Sequence, residues 1–268
     1  MAPAQNTLPA IVETVATLAR CQEAATRDRG WTYRRAGANP PSERANFEIA
    51  VWSGDTCPPL RCHFHDEVQV SFVLSGSHRF RIGADVFGAT TGECILIPAG
   101  MPHAPVPHDQ HGSWVVNAYV RDAAFIHANR HVRIFDMKRD GTRGLRDFDA
   151  LPHLGSQKTA HRGNAFVQEA PEQKMLDLLL SGVDIAALAR RAGYSREEFT
   201  RRFGKRVGMP PHAHRLMHRL NRARTLLRSG EPVAMVAAET GFADQSHLGR
   251  HFRRVFGTSP GAYRGASF

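Results

Sequence analysis

No run in this 268-residue chain approaches the ~18–20 apolar residues that cross a bilayer, so no membrane span and no membrane partner are expected. The N-terminus lacks a basic stretch, and Glu13 interrupts the apolar run from Leu8 to Leu18, so it does not read as a secretion signal. Cysteine is scarce: Cys21, Cys57, Cys62 and Cys94 are all there are, and no two form a CxxC pair. A disulfide scaffold is therefore not expected, and the reducing cytoplasm is the natural compartment. Acidic residues are what the last third is short of. Residues 174–268 carry 17 Lys and Arg against 7 Asp and Glu, whereas residues 1–173 carry 18 of each. The whole formal charge of +10 thus sits at one end, which points to a polyanion as the partner of that end alone. A merely solvated basic face is the plainer alternative.

What is present changes texture along the chain. Residues 8–27 have helical spacing, with Ile11, Val15, Leu18 and Ala19 on one face and Gly30 as the expected stop. From Phe47 to about Val120 come short β-rich runs broken by Gly and Pro: FEIAVW, VQVSFVLSG, HRFRIG, CILIP and WVVNAYV. Such runs at regular spacing predict a small antiparallel sandwich or barrel. Mixed charge and scattered glycine make 122–173 a connector, and beyond Pro171 the pattern is helical. The expected class is therefore α+β multidomain, divided into a helix and arm over 1–45, a barrel over 46–121, the connector, and an all-α domain over 174–268.

The helical third repeats itself. Residues 185–211 and 233–260 align Gly193 with Gly241, Tyr194 with Phe242, Phe199 with Leu248, Phe203 with Phe252, Gly208 with Gly257 and Pro211 with Pro260. Each unit has the form of a helix-turn-helix, over 184–207 and 233–256: a short helix, a glycine for the tight turn, then a capped second helix. Ser195 with Glu198 has capping-box spacing, and Asp244 caps the second unit. Phe199 and Phe203, like Leu248 and Phe252, sit four apart and face inward. Arg196, Glu197, Thr200, Arg201 and Lys205 then face outward, as do Gln245, Ser246, His247, Arg250 and Arg254. Arg and Gln pair with guanine and adenine edges, while Lys, Arg, Ser and Thr hold phosphates. Between the units, 211–229 reads as one helix of roughly 28 Å, with Leu216, Leu220, Ala223 and Leu227 as its buried stripe. That length suits reading helices about one DNA turn, ~34 Å, apart. Arg215, Arg219, Arg222 and Arg228 on it are expected either to touch phosphates or to keep the surface soluble.

On VAMVAAETGFADQSHLGRHFRRVFGTSPGAYR and ALARRAGYSREEFTRRFGKRVGMPPHAH, residues 174–268 resemble the DNA-binding domain of the AraC/XylS family of transcription regulators. The resemblance implies two helix-turn-helix units joined by a long helix, binding double-stranded promoter DNA and usually activating transcription, with RNA polymerase as a partner. By position it assigns base reading to Glu197, Thr200, Arg201, Gln245, Ser246, His247 and Arg250. Glu197 departs from a basic pattern: it reads a cytosine amino group or repels phosphate.

Residues 63–76 (HFHDEVQVSFVLSG) and 92–103 (GECILIPAGMPH) resemble the two cupin motifs. Gly92, Pro98, Gly100 and His103 match the second; His63, His65 and Gly76 match the first, and Gln69 stands where a glutamate is usual. Two readings stand side by side. His63, His65 and His103, with Gln69 as a weaker neutral ligand, hold a divalent transition metal, or the same four side chains bind a small organic effector. In the second case imidazoles titrating near neutrality suit an acidic ligand. Histidines simply satisfied inside the barrel are the plain alternative. For Cys62 and Cys94 a redox or soft-metal role competes with the plainer reading of a small packed hydrophobe.

The sequence thus predicts an effector-responsive transcription regulator and not an enzyme. A metal-dependent cupin enzyme or metal-responsive sensor carrying a DNA-binding domain is the alternative, and a nonspecific DNA binder a third. A homodimer is expected from the family, with the helix over 8–27 as its candidate contact.

Overall fold

The computed structural model describes residues 11, 14, 15, 30–35, 47–55, 60–107, 112–136 and 173–266. The predicted runs become strands β2 (Phe47–Gly54), β3 (Val68–Ser75), β4 (Ser77–Ile82), β6 (Glu93–Ile97) and β8 (Ser113–Val120). Four strands were not read from the sequence: β1 (Gly30–Arg35), β5 (Asp85–Thr90), β7 (Ala104–Pro105) and β9 (Arg133–Asp136). Six strands form a sheet in the order β1-β2-β8-β3-β6-β9, and β5-β4-β7 form a second.

Two expectations are corrected here. Gly30 does not merely end a helix; it opens β1, which pairs antiparallel with β2. The segment after 121 is not all connector, because α1 (Ala123–Ala128) leads into β9, whose Glu93↔Asp136 to Leu96↔Arg133 register closes the sheet edge. β9 has only four residues, too few for an alternation to stand out. The rest of that segment, 137–172, lies outside the described residues, as does most of the helix expected over 8–27. Of that helix Ile11, Thr14 and Val15 are described and are helical.

Alternation along β3 divides its side chains between two faces. Val68, Val70 and Phe72 join Ile49, Leu96, Val116 and Ala118 in one core, which Ile11, Val15 and Phe125 cover. The apolar face expected to serve a dimer is thus used, at Ile11 and Val15, against the chain's own sheet. Val73, Phe80, Ile82, Ile95, Ile97 and Met101 form a second core between the sheets.

The last third consists of α2 (Gln173–Leu180), α3 (Ile185–Arg191), α4 (Arg196–Val207), α5 (Pro211–Arg228), α6 (Val233–Glu239), α7 (Gln245–Phe256) and α8 (Pro260–Gly265). The duplication is repeated in the capping. Ser195 Oγ accepts from Glu198 N at 3.1 Å, and Asp244 accepts from His247 N at 2.6 Å. Only half of the expected capping box forms, because the Glu198 carboxylate pairs instead with Arg201 and Arg202. Gly193 and Gly241 take φ of 76° and 73° at the two tight turns, a backbone that other residues adopt at a cost of about 1–2 kcal/mol.

The arginines of α5 are corrected more sharply. Arg215 donates to the carbonyls of Leu179 and Val183, and Arg219 to those of Thr240 and Gly241. Arg219 also lies over the Phe242 ring, 4.3 Å from its centroid. Arg228 turns toward the β-domain. Only Arg222 keeps the exposed place expected of all four. Helix ends and turns leave carbonyls without partners, and arginine forks reach them from the neighbouring helix. Arg219→Ala should therefore loosen the turn of the second unit, costing about 1–3 kcal/mol in a urea unfolding series. Unchanged stability would show that the turn holds itself.

Candidate functional site

The outward rows of the two second helices lie where the repeat placed them. Phe199, Phe203 and Val207 on α4, and Leu248, Phe252, Val255 and Phe256 on α7, are buried in one shared core. Arg196, Glu197, Arg201 and Lys205 are consequently exposed, as are Gln245, Ser246, Arg250 and Arg254, while Thr200 and His247 are half-buried. These side chains differ in readiness. Arg201 lies along Glu198 with contacts of 2.8 and 2.9 Å, and Thr200 Oγ1 donates back to Arg196 O at 2.8 Å. In the second unit His247 is engaged through both ring nitrogens, by Ala243 N at 3.4 Å and by His251 Nε2 at 3.1 Å. Gln245, Ser246 and Arg250 have no side-chain hydrogen bond or ion pair among the described residues.

The β-domain brings the cupin-like residues together. His63 and His103 form a backbone bridge, with N···O distances of 2.9 and 2.8 Å. Their rings lie 4.5 Å apart between centroids, and His65 sits 4.8 Å from His63 and 5.5 Å from His103. One ligand nitrogen from each falls within 4.8 Å of the others. His63 Nδ1 meets Arg61 O at 2.7 Å and His103 Nδ1 meets Met101 O at 2.8 Å. A carbonyl only accepts, so both rings carry their proton on Nδ1 and leave Nε2 as a lone pair. The Gln69 amide reaches His103 Nε2 at 3.1 Å, and its other end lies 2.9 Å from Ser71 Oγ. With His103 protonated on Nδ1, the amide NH2 must be the end that faces the imidazole.

Burial is the first cause of the low basicity of all three rings: it pushes His63 down to about 4 and holds His65 and His103 well below their ordinary value. The expectation that they titrate near neutrality is thereby corrected. At neutral pH the cluster is uncharged and offers lone pairs, not imidazolium, so it does not attract an acid by charge. Burial also lifts the Cys94 thiol far above its usual range, which agrees with a packed hydrophobe; Cys62 is exposed. A cavity of about 10 Å³ lies beside the cluster, touching His63, Gln69, His78, Phe80, Asn117 and Tyr119. That is roughly one water and far below the ~300 Å³ or more of ordinary organic-ligand pockets.

The residues missed from the sequence lie between the two halves. The odd-numbered row His63, His65, Glu67, Gln69, Ser71 is buried throughout, and Glu48 of β2 is buried beside it. Arg224 of α5, 1% exposed, enters this polar patch. Its Nε donates to Tyr263 Oη at 3.0 Å, Nη1 to His65 Nδ1 and Glu67 Oε2 at 3.1 Å each, and Nη2 to Glu48 Oε1 at 3.3 Å. Tyr263 Oη donates to Glu48 at 2.5 Å, and Arg228 pairs with Glu67 and Glu48. Burial alone would raise the Glu67 carboxyl, but Arg224 and Arg228 outweigh it and hold the group at about 2. Around the charges, Asn221 donates to Phe64 O and Asp66, Tyr33 Oη to Phe256 O, and Pro102 packs on Gly208. Tyr33, Ala50, Phe64 and Tyr119 of the β-domain share a core with the helices. An arginine four residues beyond Leu220 and three before Leu227, one position past Ala223 of the stripe, was the sequence signal available for this contact.

Comparison with known proteins divides the chain in the same way. The AraC-like ligand binding domain family matches residues 57–136, and a helix-turn-helix domain family matches 188–266. The HTH-type transcriptional regulator MtrA of Neisseria gonorrhoeae is 36% identical over 93 residues, 34% of this chain and 31% of that one. A putative AraC-like transcription regulator of Streptomyces antibioticus is 28% identical over 213 residues, covering 70% of this chain and 64% of the other. The matches to the first of the curated relatives span about a third of those relatives' length. Among solved structures, ToxT from Vibrio cholerae shares the fold with a TM-score of 0.53 at 13% identity, over 82% of this chain and 97% of that one. No helix among the described residues is long and apolar enough to cross a membrane.

Proposed function

Since the chain belongs to the AraC-type regulators, with a ligand-binding β-domain ahead of a helix-turn-helix domain, we propose that it binds promoter DNA sequence-specifically and alters transcription in answer to a small effector held in the β-domain. The observation that carries this reading is the pair of capped, exposed helices α4 and α7, which duplicate one another down to their buried apolar anchors. Phosphates are met by Arg196, Lys205 and Arg254, and base edges by Glu197, Thr200, Arg201, Gln245, Ser246, His247 and Arg250. Activation through RNA polymerase, action as a homodimer and a cytoplasmic location belong to the same proposal. Its work is binding and not catalysis: where a cupin enzyme places a carboxylate, this chain has the neutral Gln69, held against His103 and Ser71.

Binding of the purified protein to the upstream region of its own gene tests the proposal. It should bind there at least about a thousandfold tighter than to random DNA at the same salt, and the mass of the complex tells whether one copy or two is bound. Equal affinity for both DNAs, with a steep salt slope, would leave a nonspecific binder. A metal-responsive sensor is the second reading, and the three buried, uncharged imidazoles favour it.

A further inference from the structure

The three imidazoles are not equivalent. His63 and His103 each give Nδ1–H to a backbone carbonyl, the arrangement that orients histidine ligands at metal centres. Nε2 of His63 is left as a lone pair, and that of His103 is met by the Gln69 amide at 3.1 Å, which must yield it to an ion. His65 is held the opposite way. Arginine only donates, so the 3.1 Å contact of Arg224 Nη1 with His65 Nδ1 fixes the His65 proton on Nε2. That Nε2 is buried and has no hydrogen-bond partner among the described residues. A buried donor without an acceptor is a costly state, and something that uses the nitrogen would relieve it.

We propose that His63, His65 and His103 form a site for one divalent transition-metal ion, and that filling it takes His65 from Arg224 and so loosens the β-domain from α5. The inference rests on the regulator reading above and names its ligand and its route. Three neutral nitrogen donors suit zinc, nickel, cobalt or copper and not magnesium or calcium, which prefer oxygen. The ligand nitrogens now lie within 4.8 Å of one another, whereas bonds of 2.0–2.1 Å in tetrahedral geometry bring them to about 3.3 Å. The rings must therefore draw in. His65 must also move its proton from Nε2 to Nδ1, with no net loss of a proton. An Nδ1–H then points at the Arg224 N–H, donor against donor, so the contact cannot survive. Arg224 keeps Glu48 and Glu67, and thus the grip is weakened at one of its anchors and not abolished. Because binding and release are linked, an ion that weakens the contact binds more tightly once the contact is gone.

The test uses the full chain freed of metal by chelation. Cobalt(II) titration read by visible absorption, with zinc competition, should give one ion per chain. His63→Ala and His103→Ala should each weaken binding at least about tenfold while leaving the Arg224–His65 contact in place. Hydrogen exchange with zinc added should quicken in the peptides covering α5 and α8 of the wild type, and not in His63→Ala. Absence of stoichiometric binding, or binding unaffected by His63→Ala, overturns the site. Binding with unchanged or slower exchange at α5 and α8 overturns the competition with Arg224. DNA affinity of the metal-free sample is measured alongside: loss of sequence preference there would remove the regulator reading while the metal result stands by itself.

Discussion

Arg224→Met is expected to be the most damaging single substitution in the protein, lowering stability by about 3–5 kcal/mol. The methionine fills the space, but Glu48 and Glu67 are left buried with too few partners. A buried charge that has lost its counter-charge suffers its full desolvation, which is why removing one partner costs much more than replacing the whole set. Urea unfolding followed through the β-domain tryptophans and through far-UV dichroism should show the loss, with the two signals separating as the domains part. A companion variant carrying Arg224→Met, Glu48→Gln and Glu67→Gln should recover most of it, since neutral amides are far cheaper to bury. A loss below about 1 kcal/mol for Arg224→Met, or no recovery in the triple variant, would mean that water reaches the carboxylates and the network is not sealed.

On DNA the larger effect is expected at Arg250. Arg250→Ala should weaken binding to the cognate site by about 1–3 kcal/mol and relax the sequence preference at one position, with little change on random DNA. Arg201→Ala at the equivalent place in the first unit should cost less. Arg201 lies against Glu198 at 2.8 Å, so reading a base requires it first to leave that carboxylate, whereas Arg250 has no such tie among the described residues. Glu198→Gln should narrow the difference between the two by freeing Arg201. Titration of labelled cognate and mismatched duplexes at one fixed salt concentration measures all three variants. Equal losses on cognate and random DNA would assign both arginines to phosphate contacts.

The helical third was legible because a duplication reports itself twice. Gly193 and Gly241 mark the turns, Ser195 and Asp244 the caps, and the apolar pairs Phe199–Phe203 and Leu248–Phe252 the buried face, and each unit confirms the reading of the other. The larger strands were legible as short β-rich runs broken by Gly and Pro, and the histidine cluster from the resemblance of residues 63–76 and 92–103 to the two cupin motifs. Sequence reasoning failed where a residue's partner is remote in the chain. Arg215, Arg219 and Arg228 look like a basic face when only their own helix is considered, and each is spent on a carbonyl or carboxylate of another element. Glu48 and Glu67 sit among strand residues with nothing local to show that an arginine more than 150 positions away will meet them. The basicity of the imidazoles was misjudged for a related reason. The resemblance implies that three rings converge, but not how completely the surrounding core seals them from water.

The grip of Arg224 also bears on how such a protein can be recombined. A chimera that joins this DNA-reading third to another β-domain would carry Arg224 and Arg228 to a surface lacking their carboxylates, and a graft in the other direction would strand Glu48 and Glu67. The two halves are therefore not interchangeable parts joined by a tether. The unit that can be exchanged intact is the β-domain together with the inward side of α5 and Tyr263, while the outward rows of α4 and α7 stay free to diversify toward new DNA sequences without disturbing that seam.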